Sequence, residues 1–69
     1  MITKEINFDG YNIAHVKEIQ ADGSVLCDLE TRDGDDILKT DTNISFPADN
    51  LPFELSDEEL NKLKDESSN

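Results

Sequence analysis

The chain has 69 residues, 17 of them Asp or Glu and 6 Lys or Arg, for a formal net charge of −11. That length allows one domain with one small core. The sign of the charge disfavours direct binding to phosphate backbones and to anionic membrane surfaces, both of which recruit Lys and Arg.

Leu, Ile, Val and Phe make up 18 of the 69 residues, above the roughly 20% below which a highly charged chain stays disordered. A folded but marginal domain is therefore expected, with self-repulsion working against compactness. The charge is uneven. Residues 1–27 carry four acids against Lys4 and Lys17, a net of −2, whereas residues 28–69 carry thirteen against Arg32, Lys39, Lys62 and Lys64, a net of −9. The lone Cys27 cannot form an internal disulfide. "MITKEINFDG" lacks the apolar stretch of a signal peptide, and no apolar run approaches the ~18–20 residues of a membrane span. The expectation is a cytoplasmic protein with one domain over residues 1–64 and a disordered tail over 65–69.

"ITKEINF" places Ile2, Ile6 and Phe8 on one face at period two, the pattern of a strand. Asp9-Gly10 signals a turn. In "YNIAHVKEI" the step from Ile13 to Val16 breaks strict alternation, which a β-bulge explains; the β-branched content argues against a short helix over 12–19. Asp22-Gly23 is a second hairpin signal. "SVLCDLET" then sets Val25, Cys27 and Leu29 on one face, with Ser24, Asp28 and Glu30 opposite and Leu26 on the polar side. Asp33-Gly34 supplies a third turn. "ILK" and "NISF" read as two short strands separated by a turn at "TDTN".

Pro47 has no N–H to give to a ladder, so the strand ending in Phe46 must stop or lie at an edge. Ala48, Asp49 and Asn50 suit a tight 3₁₀-like turn, and the alternation of Leu51, Phe53 and Leu55 reads as a short edge strand. Ser56 is an N-cap with Glu59 at N3, a capping box, and Leu55 and Leu60 are placed as a hydrophobic staple. Asp57, Glu58 and Glu59 suit the positive end of the helix dipole. The helix is predicted from Asp57 to about Lys64, with Leu60 and Leu63 toward the sheet. The predicted fold is mainly β: a small curled antiparallel sheet or barrel of four or five strands with a short C-terminal helix. Its core is predicted to hold Ile6, Phe8, Val25, Cys27, Leu29, Ile44, Phe46 and Phe53.

"FPADNL" resembles the segment that introduces the last strand of SH3 domains, with Phe46, Pro47, Ala48 and Leu51 in matching places. Asp49 stands where that family usually has Asn, and Asn50 where it has a ligand-contacting Tyr. The chain has no Trp and no N-terminal aromatic motif. The resemblance therefore implies an SH3-like small barrel without the family's proline-peptide groove. Tudor-like barrels share that fold and bind methylated side chains in aromatic cages, but Phe8, Tyr11, Phe46 and Phe53 all read as packing residues here.

Reactive chemistry is scarce. Counting back from Gly34 puts Leu29 at the first ligand position of an EF-hand loop, and counting from Gly23 puts Leu29 at the twelfth, so neither turn fits a calcium loop. One His and one Cys cannot build a zinc site. Cys27 lies on an apolar strand face beside Asp28, which raises a thiol pKa, and nothing in the sequence sets a nucleophile beside His15. No glycine-rich phosphate loop is present. No metal or cofactor is expected, and the protein reads as a non-enzyme.

Two functional readings remain. In the first, Asp33, Asp35, Asp36 and Asp41, with Asp57, Glu58 and Glu59 at the helix start, engage a basic protein surface. The partner would be a nucleic-acid-handling enzyme whose phosphate site the acids imitate. Size and composition resemble those of small acidic inhibitors encoded by phages and mobile elements. In the second, charge only keeps the domain soluble, and an adaptor contact forms through Leu26, Leu38 or the Leu51–Leu55 edge.

Overall fold

A computed structural model describes residues 1–67. Four strands, β1 (Ile2–Phe8), β2 (Tyr11–Ile19), β3 (Val25–Asp33) and β4 (Asp36–Phe46), are followed by one helix, α1 (Asp57–Ser67). The strands form one antiparallel sheet in sequence order, β1-β2-β3-β4. The chain is mainly β, as its alternation predicts.

Local chemistry sets the hairpins. Asp9 and Gly10 both take positive φ, 49° and 84°, between the paired residues Phe8 and Tyr11, the twist that a two-residue loop requires. Gly34 has φ of 62° between the paired Asp33 and Asp36, a conformation that a side chain would strain.

Strand β4 departs from the sequence reading. "TDTN" is no turn; the strand runs unbroken from Asp36 to Phe46. The register moves from Cys27↔Ile44 to Leu29↔Asp41, so Thr42 and Asn43 oppose Asp28 alone in a bulge. Asn43 takes φ of 58°, which Asn tolerates better than most residues. Asp28 Oδ1 accepts from the Asn43 N–H at 3.0 Å, and Lys17 donates to Asn43 Oδ1 at 2.7 Å. A second shift leaves Leu38 without a partner between Thr31↔Lys39 and Arg32↔Ile37. The bulge expected between Ile13 and Val16 falls instead at Lys17 on β2.

The sheet curls without closing. β1 and β4 are its two edges and share no ladder, yet Phe8 of β1 meets Phe46 of β4 edge-to-face with ring centroids 5.2 Å apart. Phe53 continues the row at 6.4 Å from Phe46. Leu51–Leu55 forms no strand. Its apolar side chains instead pack, half-buried, against the core.

The buried core consists of Tyr11, Ala14, Val16, Val25, Cys27, Leu29, Phe46 and Leu63. Ile6, Ile44 and Phe53 flank it, partly buried. Phe8, predicted inside, is 40% exposed, because the register slips by one between Glu5 and Phe8 and turns the strand end outward. Helix α1 lies over the sheet and inserts Leu63, which is fully buried. It starts as predicted: the Glu59 N–H donates to Ser56 Oγ at 3.2 Å and the Ser56 N–H to Glu59 Oε1 at 3.0 Å. It ends later than Lys64, continuing through Ser67, with Glu66 bound to the N-terminal ammonium at 2.7 Å. Residues 65–67 of the predicted tail are thus helical, and 68–69 lie outside the described residues. Among the described residues no helix is long and apolar enough to cross a membrane.

Removing the Ser56 hydroxyl deletes half of the capping box. Ser56→Ala is expected to cost about 1 kcal/mol, read as a lower urea midpoint with an unchanged slope. An unchanged midpoint would contradict the cap.

Candidate protein-interaction site

The fold sorts the acids into those it uses and those it leaves to solvent. Ion pairs engage Asp28, Glu30, Glu59 and Glu66. Glu59 joins Lys4 of β1 at 2.7 Å, and this contact with the Ser56 N–H holds its carboxyl below the usual range. Asp28 is also lowered, first by the Asn43 N–H and then by Lys17. Asp41 accepts a hydrogen bond from the hydroxyl of the buried Tyr11, and Lys39 Nζ lies 4.5 Å from the centre of that ring. The Asp41 contact pushes the Tyr11 hydroxyl above its ordinary value.

The seven acids singled out in the sequence therefore divide. Asp41 and Glu59 hold the fold together. Asp33, Asp35, Asp36, Asp57 and Glu58 are exposed and make no ion pair among the described residues. The first three cluster at the β3–β4 hairpin, beside Ile37 and Leu38, which are 50% and 66% exposed. The helix start is tied instead to β1 through Lys4, the opposite edge of the sheet from β4. Across four strands at about 4.8 Å spacing, these are two patches.

Away from α1 the sheet carries a polar row that sequence reasoning did not find. Glu30, on the predicted polar face, is only 7% exposed. His15 Nε2 lies 2.9 Å from Glu30 Oε1, and Thr3 Oγ1 3.1 Å from His15 Nδ1. A carboxylate only accepts, so Nε2 carries the hydrogen on the Glu30 side, and Nδ1 is left to the Thr3 hydroxyl. Arg32 Nε reaches the same Glu30 oxygen at 2.9 Å. Hydroxyl, imidazole and carboxylate in a line have the connectivity of a catalytic relay. The Arg32 guanidinium competes for its carboxylate, however, and the groove described below includes none of the three residues. Only the Glu30–Arg32 spacing, two residues along one strand, hinted at this row; the His15 and Thr3 contacts come from two other strands.

Cys27 is fully buried, and burial first, then Asp28, pushes its thiol up to about 11. That keeps it protonated and inert near neutral pH. Among the described residues no three His, Cys, Asp or Glu side chains converge as a metal site requires.

An open groove of about 680 Å³ lies between the β2–β3 turn, the segment after β4 and α1, lined chiefly by Ile19, Val25, Leu51, Phe53, Leu55 and Leu60. Of the apolar contact residues read from the sequence, Leu51 and Leu55 line this groove, Leu38 projects from β4, and Leu26 is half-buried. No family model, curated protein or solved structure matches the chain.

A carboxylate whose pKa is lower folded than unfolded stabilises the fold above its unfolded value and loses that contribution as pH falls through the folded one. Glu30 is lowered from an ordinary 4.5, chiefly by the His15 hydrogen bond. Glu30→Gln should therefore be less stable than the wild type at pH 7. The gap should narrow as pH falls below 4.5, the ordinary value. Thermal melts at pH 7 and pH 3 check this; a gap that widens in acid would contradict it.

Proposed function

We propose that this protein acts without catalysis, as a small acidic binder whose β3–β4 hairpin engages a basic surface on a cytoplasmic partner. A nucleic-acid-handling enzyme is the partner that best fits, with the carboxylates occupying places that phosphates otherwise take. One observation carries the reading: Asp33, Asp35 and Asp36 stand on one hairpin with no ion pair among the described residues, while other acids are tied into the fold. Unpaired charge breaks no internal bond to meet a partner, and complementary potential speeds encounter. Asp57 and Glu58 at the helix start form a second, separate acidic patch. Asp41 and Glu59 are instead bonded to Tyr11 and Lys4.

The exposure of Leu38 and Ile37 beside those acids favours a second reading, an adaptor contact made through apolar side chains. The two readings rank substitutions oppositely. With a partner captured at low salt and purified, Asp35→Lys/Asp36→Lys should weaken binding on the order of tenfold and flatten its salt dependence, chiefly through slower association. Leu38→Asp should change it little. Loss of binding in Leu38→Asp with near-silent charge reversals would replace acidic mimicry by the adaptor reading.

A further inference from the structure

Five half-buried apolar residues of this chain gather in one place. Ile19, Leu51, Phe53, Leu55 and Leu60 come from β2, the segment after β4 and α1, and all five border the same open groove. Contiguous exposed apolar surface rimmed by polar residues marks interaction sites more often than isolated apolar side chains do. Two prolines stiffen one wall: Pro47 accepts from the Asn50 N–H at 3.1 Å in a tight turn, and Pro52 fixes the backbone between Leu51 and Phe53. A stiff wall lowers the ordering cost of binding.

The rim supplies the charge preference. Asp49 and Glu54 border the groove, both exposed and neither ion-paired among the described residues, against Lys64 as the one lining cation. We infer that this groove receives an apolar segment of a partner protein flanked by lysine or arginine. Each chain carries −11, so a second copy of this chain would bring like charge against like charge. A basic flank meets Asp49 and Glu54 while its apolar centre covers Leu51, Phe53 and Leu55. The inference stands apart from the hairpin reading, because it uses different residues.

The test uses the full chain, labelled at its Leu, Ile and Val methyl groups and backbone amides, titrated with the synthetic peptide Lys-Lys-Leu-Phe-Leu-Lys-Lys. The inference expects saturable shifts of the Ile19, Leu51, Leu55 and Leu60 methyl signals. Replacing the three apolar peptide residues by Ser should weaken binding by about tenfold or more, since their burial is the main gain. Replacing the four lysines by Glu should weaken it likewise. The protein variant Asp49→Lys/Glu54→Lys, altered only at exposed sites, should bind the first peptide several-fold less tightly and keep its fold. Shifts confined to the amides of Asp33, Asp35 and Asp36, or equal binding of the Ser peptide, would overturn the groove while leaving the hairpin reading intact. No saturable shift at the groove methyls would overturn it as well.

Discussion

A single curled sheet leaves one face to cover, and one side chain of one helix covers its centre. Leu63 is fully buried against a core that includes Ala14, Val16, Cys27 and Leu29. The devices around it fix how that leucine arrives. The reciprocal bonds of Ser56 and Glu59 start the helix, Lys4 holds its first turn to β1, and Glu66 holds its last turn to the N-terminus. Pairs at or near the surface contribute little energy alone, but they orient an element whose burial contributes more. The groove depends on the same docking, since Leu60 and Lys64 flank Leu63 on α1 and form one of its walls.

A chain at −11 folds by deciding where its repulsion goes. Acids that sit close to the sheet have cationic or hydrogen-bonding partners: Glu30 with His15 and Arg32, Asp28 with Lys17 and the Asn43 N–H, Asp41 with Tyr11. Among the buried side-chain polar atoms of the described residues none lacks a partner, as a small core requires. Seven further carboxylates stand at the hairpin tip, the helix start and the groove rim, where water screens them. Those places are also where a partner of opposite charge gains most.

Much of this was legible because it is local. The three Asp-Gly pairs mark turns through backbone preference, period-two alternation marks β1 to β3, and the Ser56–Glu59 spacing marks the helix start. What escaped depends on residues far apart in sequence. "TDTN" looks like a turn by composition, but Asp28 and Lys17 from two other strands hold Asn43 in a bulge instead. Leu51–Leu55 alternates like a strand, yet Pro52 removes a donor, and the segment packs by its side chains alone. Glu30 alternates onto a polar face and is still buried, because His15 and Arg32 close over it. The acidic set was legible as composition; which of its members stay unpaired depends on Lys4 and Tyr11, whose partners lie 55 and 30 residues away.

The dependence on Leu63 is open to one direct measurement, urea denaturation of Leu63→Ala followed by far-ultraviolet circular dichroism. A chain of this size has roughly 3–10 kcal/mol of total stability, and emptying a fully buried leucine site costs about 2–5 kcal/mol. The account predicts a collapse of the unfolding midpoint, or loss of a cooperative transition altogether. A midpoint corresponding to a loss below about 0.5 kcal/mol, far under the cost of such a cavity, would show that the sheet holds its shape without α1 and would contradict the account.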